Sequence, residues 1–298
     1  MTQDAKPYLS TDVEREIFET TGLLYPNTIP TLLRVARRVS IWVEPLLYRV
    51  LRISRYSPLA GVVLDAVHSK PTTFLRTAVR HLLLDGSAQW SQDDALSVLR
   101  LCTGLVSLLP FGRFASPALL PVLREMRSVR RLSASLEDLF GSSDAIDLHH
   151  PLFSGITHLD IFDPVESAPQ IYVQLSALPR LTHLCLNNDI PAPIAHVVLS
   201  SCPHLEVLVN MWAYLRLARA FAVAQSPPLK DPDPRFVVAL YDDFSADWEA
   251  GSHDELDFWA LAEIFVARKR RGQIPASCYW LQHLIDSSSS GDVEPISL

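Results

Sequence analysis

Three histidines hold the same place in a recurring phrase: His81 in Val79-Arg80-His81-Leu82-Leu83-Leu84, His158 in Ile156-Thr157-His158-Leu159-Asp160-Ile161, and His183 in Leu181-Thr182-His183-Leu184-Cys185-Leu186. Each precedes the central leucine, so in an extended strand it points away from the face that the leucines share. If the last two phrases are neighbouring strands, His158 and His183 stand side by side at roughly 4.8 Å, with Asp160 and Cys185 beside them. Imidazole, carboxylate and thiolate together form a donor set that could ligate zinc. Outward alternation also places polar side chains at such positions without any chemical purpose. A half-solvated histidine ladder is the simpler expectation, with no metal and no cofactor.

Other chemistry is harder to find. No P-loop, dinucleotide glycine fingerprint, G-x-S-x-G elbow or H-E-x-x-H helix is present, and ten glycines leave little material for phosphate-cradling loops. The expectation is a protein without catalytic residues. A net charge of −7 offers no broad basic face and argues against nucleic acid as a partner. The four cysteines, Cys102, Cys185, Cys202 and Cys278, lack CxxC spacing and are expected to be reduced thiols. Met1 to Lys6 lacks the basic flank and apolar run of a signal peptide, and no stretch is long and apolar enough for a bilayer. A cytoplasmic location is expected, or a nuclear one if Arg268-Lys269-Arg270-Arg271 is an import signal; these cations also suit the last turn of a helix.

The elements that would position these residues repeat. Phrases of the same kind begin at Val79, Leu105, Val129, Ile156, Leu181 and Leu205, a step of 24 to 27 residues. That step and the L-x-x-L-x-L wording resemble leucine-rich repeats, in which each copy contributes one short strand. Cys102-Thr103-Gly104-Leu105 and Cys202-Pro203-His204-Leu205 resemble the cysteine-containing kind. Between the phrases, helical spacing recurs at Ala95, Leu96, Leu99 and Leu101, at Leu119, Leu120, Leu123 and Met126, and at Ile194, Val197, Val198 and Leu199. Ser91 and Ser116-Pro117 are start signals for the first two. Strand then helix, repeated, predicts an α/β fold: a degenerate, curved solenoid over 51–245 with a parallel sheet and outer helices.

Residues 1–50 read as a helical head. Thr11-Asp12-Val13-Glu14 fits a capping box, with Val13, Ile17 and Phe18 as an apolar stripe. After Tyr25-Pro26-Asn27, Leu32, Ala36, Val39 and Val43 are spaced for a second helix that Pro45 ends. Tyr48 to Ile53 then suits a first strand. Leu9, Val13, Glu16-Ile17-Phe18, Leu32-Leu33-Arg34-Val35-Ala36-Arg37-Arg38-Val39 and Trp42-Val43-Glu44-Pro45-Leu46-Leu47-Tyr48 resemble an F-box, in particular the F-box-like heads of repeat proteins abundant in mushroom-forming fungi. The resemblance implies that Leu9, Val13, Ile17, Phe18, Leu32 and Trp42 dock on a Skp-type adaptor of a cullin ubiquitin ligase, while the repeats hold a protein substrate. Read from the residues alone, Ile17, Phe18, Leu32 and Trp42 would instead cap the open end of a stand-alone interaction scaffold.

At the other end, Phe236 to Tyr241 suits a last strand. Asp254 to Arg271, with Leu256, Trp259, Ala260, Ile264 and Phe265, suits an amphipathic helix within a segment 246–275 that closes the far end. Residues 276–298 read as a flexible tail. The exposed strand face, Arg131, Ser133, His158, Asp160, Phe162, His183, Cys185, Asn187, Val207 and Val209, is then the expected grip for a protein partner.

Overall fold

The computed structural model describes residues 9–165, 169–187 and 189–282. Among them are eight strands: β1 (Val50–Ile53), β2 (His81–Leu84), β3 (Ser107–Pro110), β4 (Arg131–Ala134), β5 (His158–Ile161), β6 (His183–Asn187), β7 (Val207–Ala213) and β8 (Phe236–Tyr241). Each pairs in parallel with the next, giving one open sheet in the order of the chain. β2 to β7 each begin two residues after the first apolar residue of a repeated phrase, and β8 matches the expected last strand.

Helices α1 (Thr11–Leu24), α2 (Ile29–Leu32) and α3 (Arg37–Val43) precede the sheet. Between strands lie α4 (Leu59–Ser69), α5 (Thr72–Ala78), α6 (Gln92–Leu101), α7 (Leu120–Leu123), α8 (Leu136–Phe140), α9 (Gln170–Gln174), α10 (Ala192–Ser201) and α11 (Leu217–Gln225), and α12 (Phe244–Ser252) and α13 (Phe258–Arg270) follow β8. None of the described helices is long and apolar enough to cross a membrane.

Alternation sorts each strand between two faces. Leu82, Leu84, Leu108, Leu132, Leu159, Ile161, Leu184, Leu186 and Leu208 meet Leu75, Ala95, Leu99, Leu123, Ile171, Ala195 and Val198 from the intervening helices in one continuous core. The connections are anchored in similar ways. Cys102 and Cys202 are both buried where α6 and α10 end, their N–H groups donating to Val98 O (3.0 Å) and Val198 O (3.2 Å). Ser91 caps α6 in a reciprocal box with Asp94. Buried Asp163, just past β5, accepts from Leu136 N (2.6 Å), Glu137 N (2.9 Å) and Ser135 Oγ (2.9 Å), so one connection caps the helix of the connection before it.

The opposite face is covered too, which departs from the expected arrangement. α12 and α13 do not close the far end of the sheet; they lie back across the strands on the side away from α4–α11. Val207, Val209, Met211, Val237 and Ala239 pack against Phe258, Trp259, Ala262, Phe265 and Val266 of α13. Val50, Leu83 and Leu109 pack against Trp248 of α12. The buried stripe of α13 is thus Phe258, Trp259, Ala262, Phe265, Val266 and Lys269, whereas Leu256 is exposed. Beyond α13, Val238 N donates to Tyr279 O (2.7 Å) and Leu281 N to Val238 O (3.0 Å), so this segment runs along the free edge of β8. The expected flexible tail therefore does not start at residue 276; its remainder, 283–298, including Ser287 to Gly291, lies outside the described residues.

In the head, Ser10 rather than Thr11 caps α1, accepting from Val13 N. The single helix expected over Leu32 to Val43 is broken, with Ala36 extended at φ −161°. The break folds α3 back so that Val39 and Val43 bury against Ile29, with Phe18, Leu32 and Trp42 around them. Arg38 grips Glu14 with two hydrogen bonds (2.6 and 3.0 Å) across α1 and α3.

Leu184 is wholly buried in β6 and Leu215 is almost wholly exposed. Leu184→Ala is expected to lower unfolding free energy by about 2–5 kcal/mol, and Leu215→Ala to change it by no more than about 0.5 kcal/mol, both read from urea denaturation.

Candidate functional site

The register across the sheet lines up residues that are far apart in the chain. One rung reads His81, Ser107, Arg131, His158, His183, Val207 from β2 to β7. The rung above it on the same face carries Ser133, Asp160, Cys185, Val209 and Val237 from β4 to β8. This is the expected partner face, and the strand register places its members together. It is not free: Ser133, Asp160, His183, Cys185, Val207 and Val209 are buried and Arg131, His158, Phe162 and Asn187 half-buried. The physical reason is the apolar content of this face at Leu83, Leu109, Val207, Val209 and Val237, which drives α12 and α13 onto it.

Polar residues of the rungs hold the helix pair in place. Arg131 pairs with Asp257 (3.1 Å), the N-cap of α13, whose Oδ1 accepts from Ala260 N (2.8 Å). Gly251 allows this approach, since a Cβ there would collide with the Asp257 carboxylate. Ser107 Oγ accepts from Trp248 Nε1 (3.1 Å), and Arg52 of β1 meets Glu249 of α12 (3.2 Å). At the far end of α13, buried Lys269 donates to Phe236 O (2.9 Å) between the rings of Phe265 and Tyr279. The basic run Arg268 to Arg271 is therefore partly structural rather than a free basic segment.

The imidazoles of His158 and His183 stack 4.1 Å apart at an interplanar angle of 4°. The ring of Trp259 stands perpendicular to both, at 5.3 and 5.7 Å. Glu263 Oε1, one turn further along α13, lies 3.1 Å from His183 Nε2 and 4.0 Å from His158 Nε2. Burial holds the His158 imidazole down to about 4, so it is neutral near pH 7. Asp160 and Cys185 are next to each other one rung away and do not join the histidines. Burial raises the Asp160 carboxyl to about 7, and its Oδ1 accepts from Asn187 Nδ2 (3.1 Å). Burial likewise pushes the Cys185 thiol well up, which leaves it an inert, protonated side chain.

Where α12 begins, the sheet leaves a recess of about 360 Å³ lined by Leu83, Leu109, Phe111, Phe162, Tyr241 and Phe244, with Asp85, Asn187 and Ser245 at its polar side. Its rings meet edge to face: Phe111 with Phe162 (6.2 Å), Phe162 with Phe244 (5.4 Å), Tyr241 with Phe244 (5.6 Å). Of the candidate face, Phe162 and Asn187 alone reach this opening.

Comparison with protein-family models and with curated proteins finds no match to this chain.

In the head, Phe18, Leu32 and Trp42 are half-buried in its own small core, while Leu9, Val13 and Ile17 remain 43, 43 and 48% exposed. Sequence reasoning missed Glu263, Trp248 and Phe244, which belong to the site through α12 and α13. The signal for α13 was present, an apolar stripe on a helix, but a stripe does not name the surface that it covers.

His81 is the outlying member of the histidine rung. Burial, with Arg49, Arg131 and Arg80 nearby, holds its imidazole down to about 3, and its Nδ1 has no hydrogen-bond partner. Below about pH 6.5 the unfolded chain takes up a proton there that the folded protein refuses, so this residue's share of stability is intact above that pH and is lost as pH falls. His81→Leu is expected to leave the melting temperature near pH 8 little changed. In acid, the variant should become more stable than the parent, by up to about 1.4 kcal/mol per pH unit, read by denaturant titration from pH 8 to 4.

Proposed function

We propose that this chain is a non-enzymatic protein-binding receptor of the F-box type, whose head engages a Skp-type adaptor and whose leucine-rich-repeat-like body recruits a protein for ubiquitin transfer. The observation that carries the reading is the apolar surface of the head. Leu9, Val13 and Ile17 are not needed to close the core of Ile29, Val39 and Val43, yet they stand in solvent together with Val35 and Ile41 (55 and 64% exposed). Val13 and Ile17, four residues apart, share one face of α1, and apolar side chains that folding leaves exposed on one face are the kind of surface that a partner covers. Phe18, Leu32 and Trp42, implied as docking residues by the resemblance, act in this reading by shaping the helices beneath the patch.

The repeat-like character of the body is supported by the regular 24 to 27 residue step and by the unbroken ladder of consecutive parallel strands. Because α12 and α13 occupy the strand face, the recruited protein would be held at the aromatic recess, where Phe111 is 55% exposed and Asp85, Asn187 and Ser245 offer polar contacts. Such a recess suits a single anchoring side chain with a polar rim around it. A cytoplasmic or nuclear setting follows from the same reading.

A second reading, a stand-alone interaction scaffold capped by the head, is favoured by the contacts at the head's base. Tyr48 meets Phe74 edge to face at 5.2 Å, and Lys70 pairs with Glu44 at 2.6 Å. The two readings part on one pair of variants. Val13→Asp with Ile17→Asp is expected to leave circular dichroism and melting unchanged while abolishing recovery of a Skp-type adaptor in pull-downs from native lysate, against an F-box protein as positive control. If the parent chain recovers no adaptor and the double variant is insoluble, the head is a cap and the receptor reading fails.

A further inference from the structure

We propose that His158, His183 and Glu263 form a binding site for one zinc-class divalent cation, which joins β5 and β6 to α13. The inference stands on three ligand atoms that two strands and a helix bring together, and on the outer partners of the two rings. Thr157 Oγ1 is 3.2 Å from Arg130 O and 2.9 Å from His158 Nδ1, and Thr182 Oγ1 is 3.2 Å from Thr157 O and 2.8 Å from His183 Nδ1. Where each hydroxyl gives its single proton to the carbonyl oxygen, the threonine oxygen accepts from the adjacent ring. In that tautomer, the one a metal ion selects, both imidazoles carry hydrogen on Nδ1 and present the lone pair of Nε2. The pattern is duplicated because the Thr-His phrase is repeated on neighbouring strands.

Both Nε2 atoms are buried without a well-aligned hydrogen bond, although His183 Nε2 lies 3.1 Å from Glu263 Oε1. They face a carboxylate that can supply no proton at neutral pH. Three possible ligand atoms from β5, β6 and α13 are thus brought within 4.8 Å of one another. Two neutral imidazoles and a carboxylate are a familiar ligand combination for Zn²⁺, and four-coordinate bonds of about 2.0–2.1 Å put neighbouring donors about 3.3 Å apart. The separations from Glu263 Oε1, 3.1 and 4.0 Å, bracket that value. Seating the ion requires the stacked rings to splay and Glu263 to turn, and Glu263 is the member with room to do so, its side chain being 51% exposed. The threonines supply the outer support that ligating histidines ordinarily need at the second ring nitrogen. An oxygen-preferring ion such as Mg²⁺ does not suit two nitrogen donors.

The test is calorimetric titration of the full chain with ZnCl₂, with MgCl₂ as the control. One Zn²⁺ per chain is expected to bind, with a higher melting temperature and no response to Mg²⁺. Glu263→Gln, a half-exposed substitution that preserves shape, should abolish that binding, as should His183→Asn. Thr182→Val keeps both ligands and removes the outer support, and should weaken affinity by about 10–100-fold. Co²⁺ in place of Zn²⁺ should give the visible absorption of a four-coordinate ion in the parent and not in Glu263→Gln. Absence of stoichiometric Zn²⁺ binding by the parent, as expected if Nε2–H merely donates to Glu263, would overturn the proposal. So would binding that survives both Glu263→Gln and His183→Asn, which would place the ion elsewhere, for instance at His149 and His150.

Discussion

A parallel sheet whose strands are apolar on both sides must be covered on both sides, and most of this structure follows from that requirement. The leucine side is covered by the helices that connect the strands. The other side carries Leu83, Leu109, Val207, Val209 and Val237, too much apolar surface to leave in water, and the connections have no material left to reach it. The cover comes from the chain after β8, through α12 and α13. Burial then transforms the polar residues that alternate along that face. Arg131, Ser107, His158 and His183 cease to be a solvated surface and become attachment points for the two helices.

What could be read in the sequence was what depends on near neighbours. The strand phrases were legible because two apolar residues at period two and a near-constant step leave few alternatives, and β2 to β7 are where those phrases lie. Ser91 was legible as a cap because it stands just before a helically spaced apolar run, and in the structure Asp94 completes its box. The pairing of His158 with His183 followed from register alone, once the phrases were taken as adjacent strands. What could not be read was the partner of each surface. Nothing local distinguishes a helix that closes the end of a sheet from one that lies across it, and the stripe of α13 was misphased because Leu256 and Ile264 are as apolar as Phe258 and Val266. Lys269 shows the same limit, since a cation in a basic run carries no mark of being buried under Phe265 and Tyr279.

The face expected to be open to a partner is thus the face with the least access, and the candidate chemistry moves to its margins. The aromatic recess exists because α12 starts at Phe244, leaving Phe111, Phe162 and Tyr241 uncovered on one side. The head keeps a comparable margin: α3 folds back far enough to bury Val39 and Val43 but not Leu9, Val13 or Ile17.

The strap formed by α12 and α13 also ties the beginning of the sheet to its end. Arg52 in β1 holds Glu249, and Arg49 just before it reaches Asp254, a separation of 205 residues along the chain. A row of strands bonded only to their neighbours would come apart piecemeal, each unit according to its own strength. With β1 fastened to helices that follow β8, this molecule loses that modularity: the sheet is covered on both sides only when synthesis has passed α13, and disassembly from either end of the sheet must break the same fastening, so the whole is expected to open as one cooperative unit.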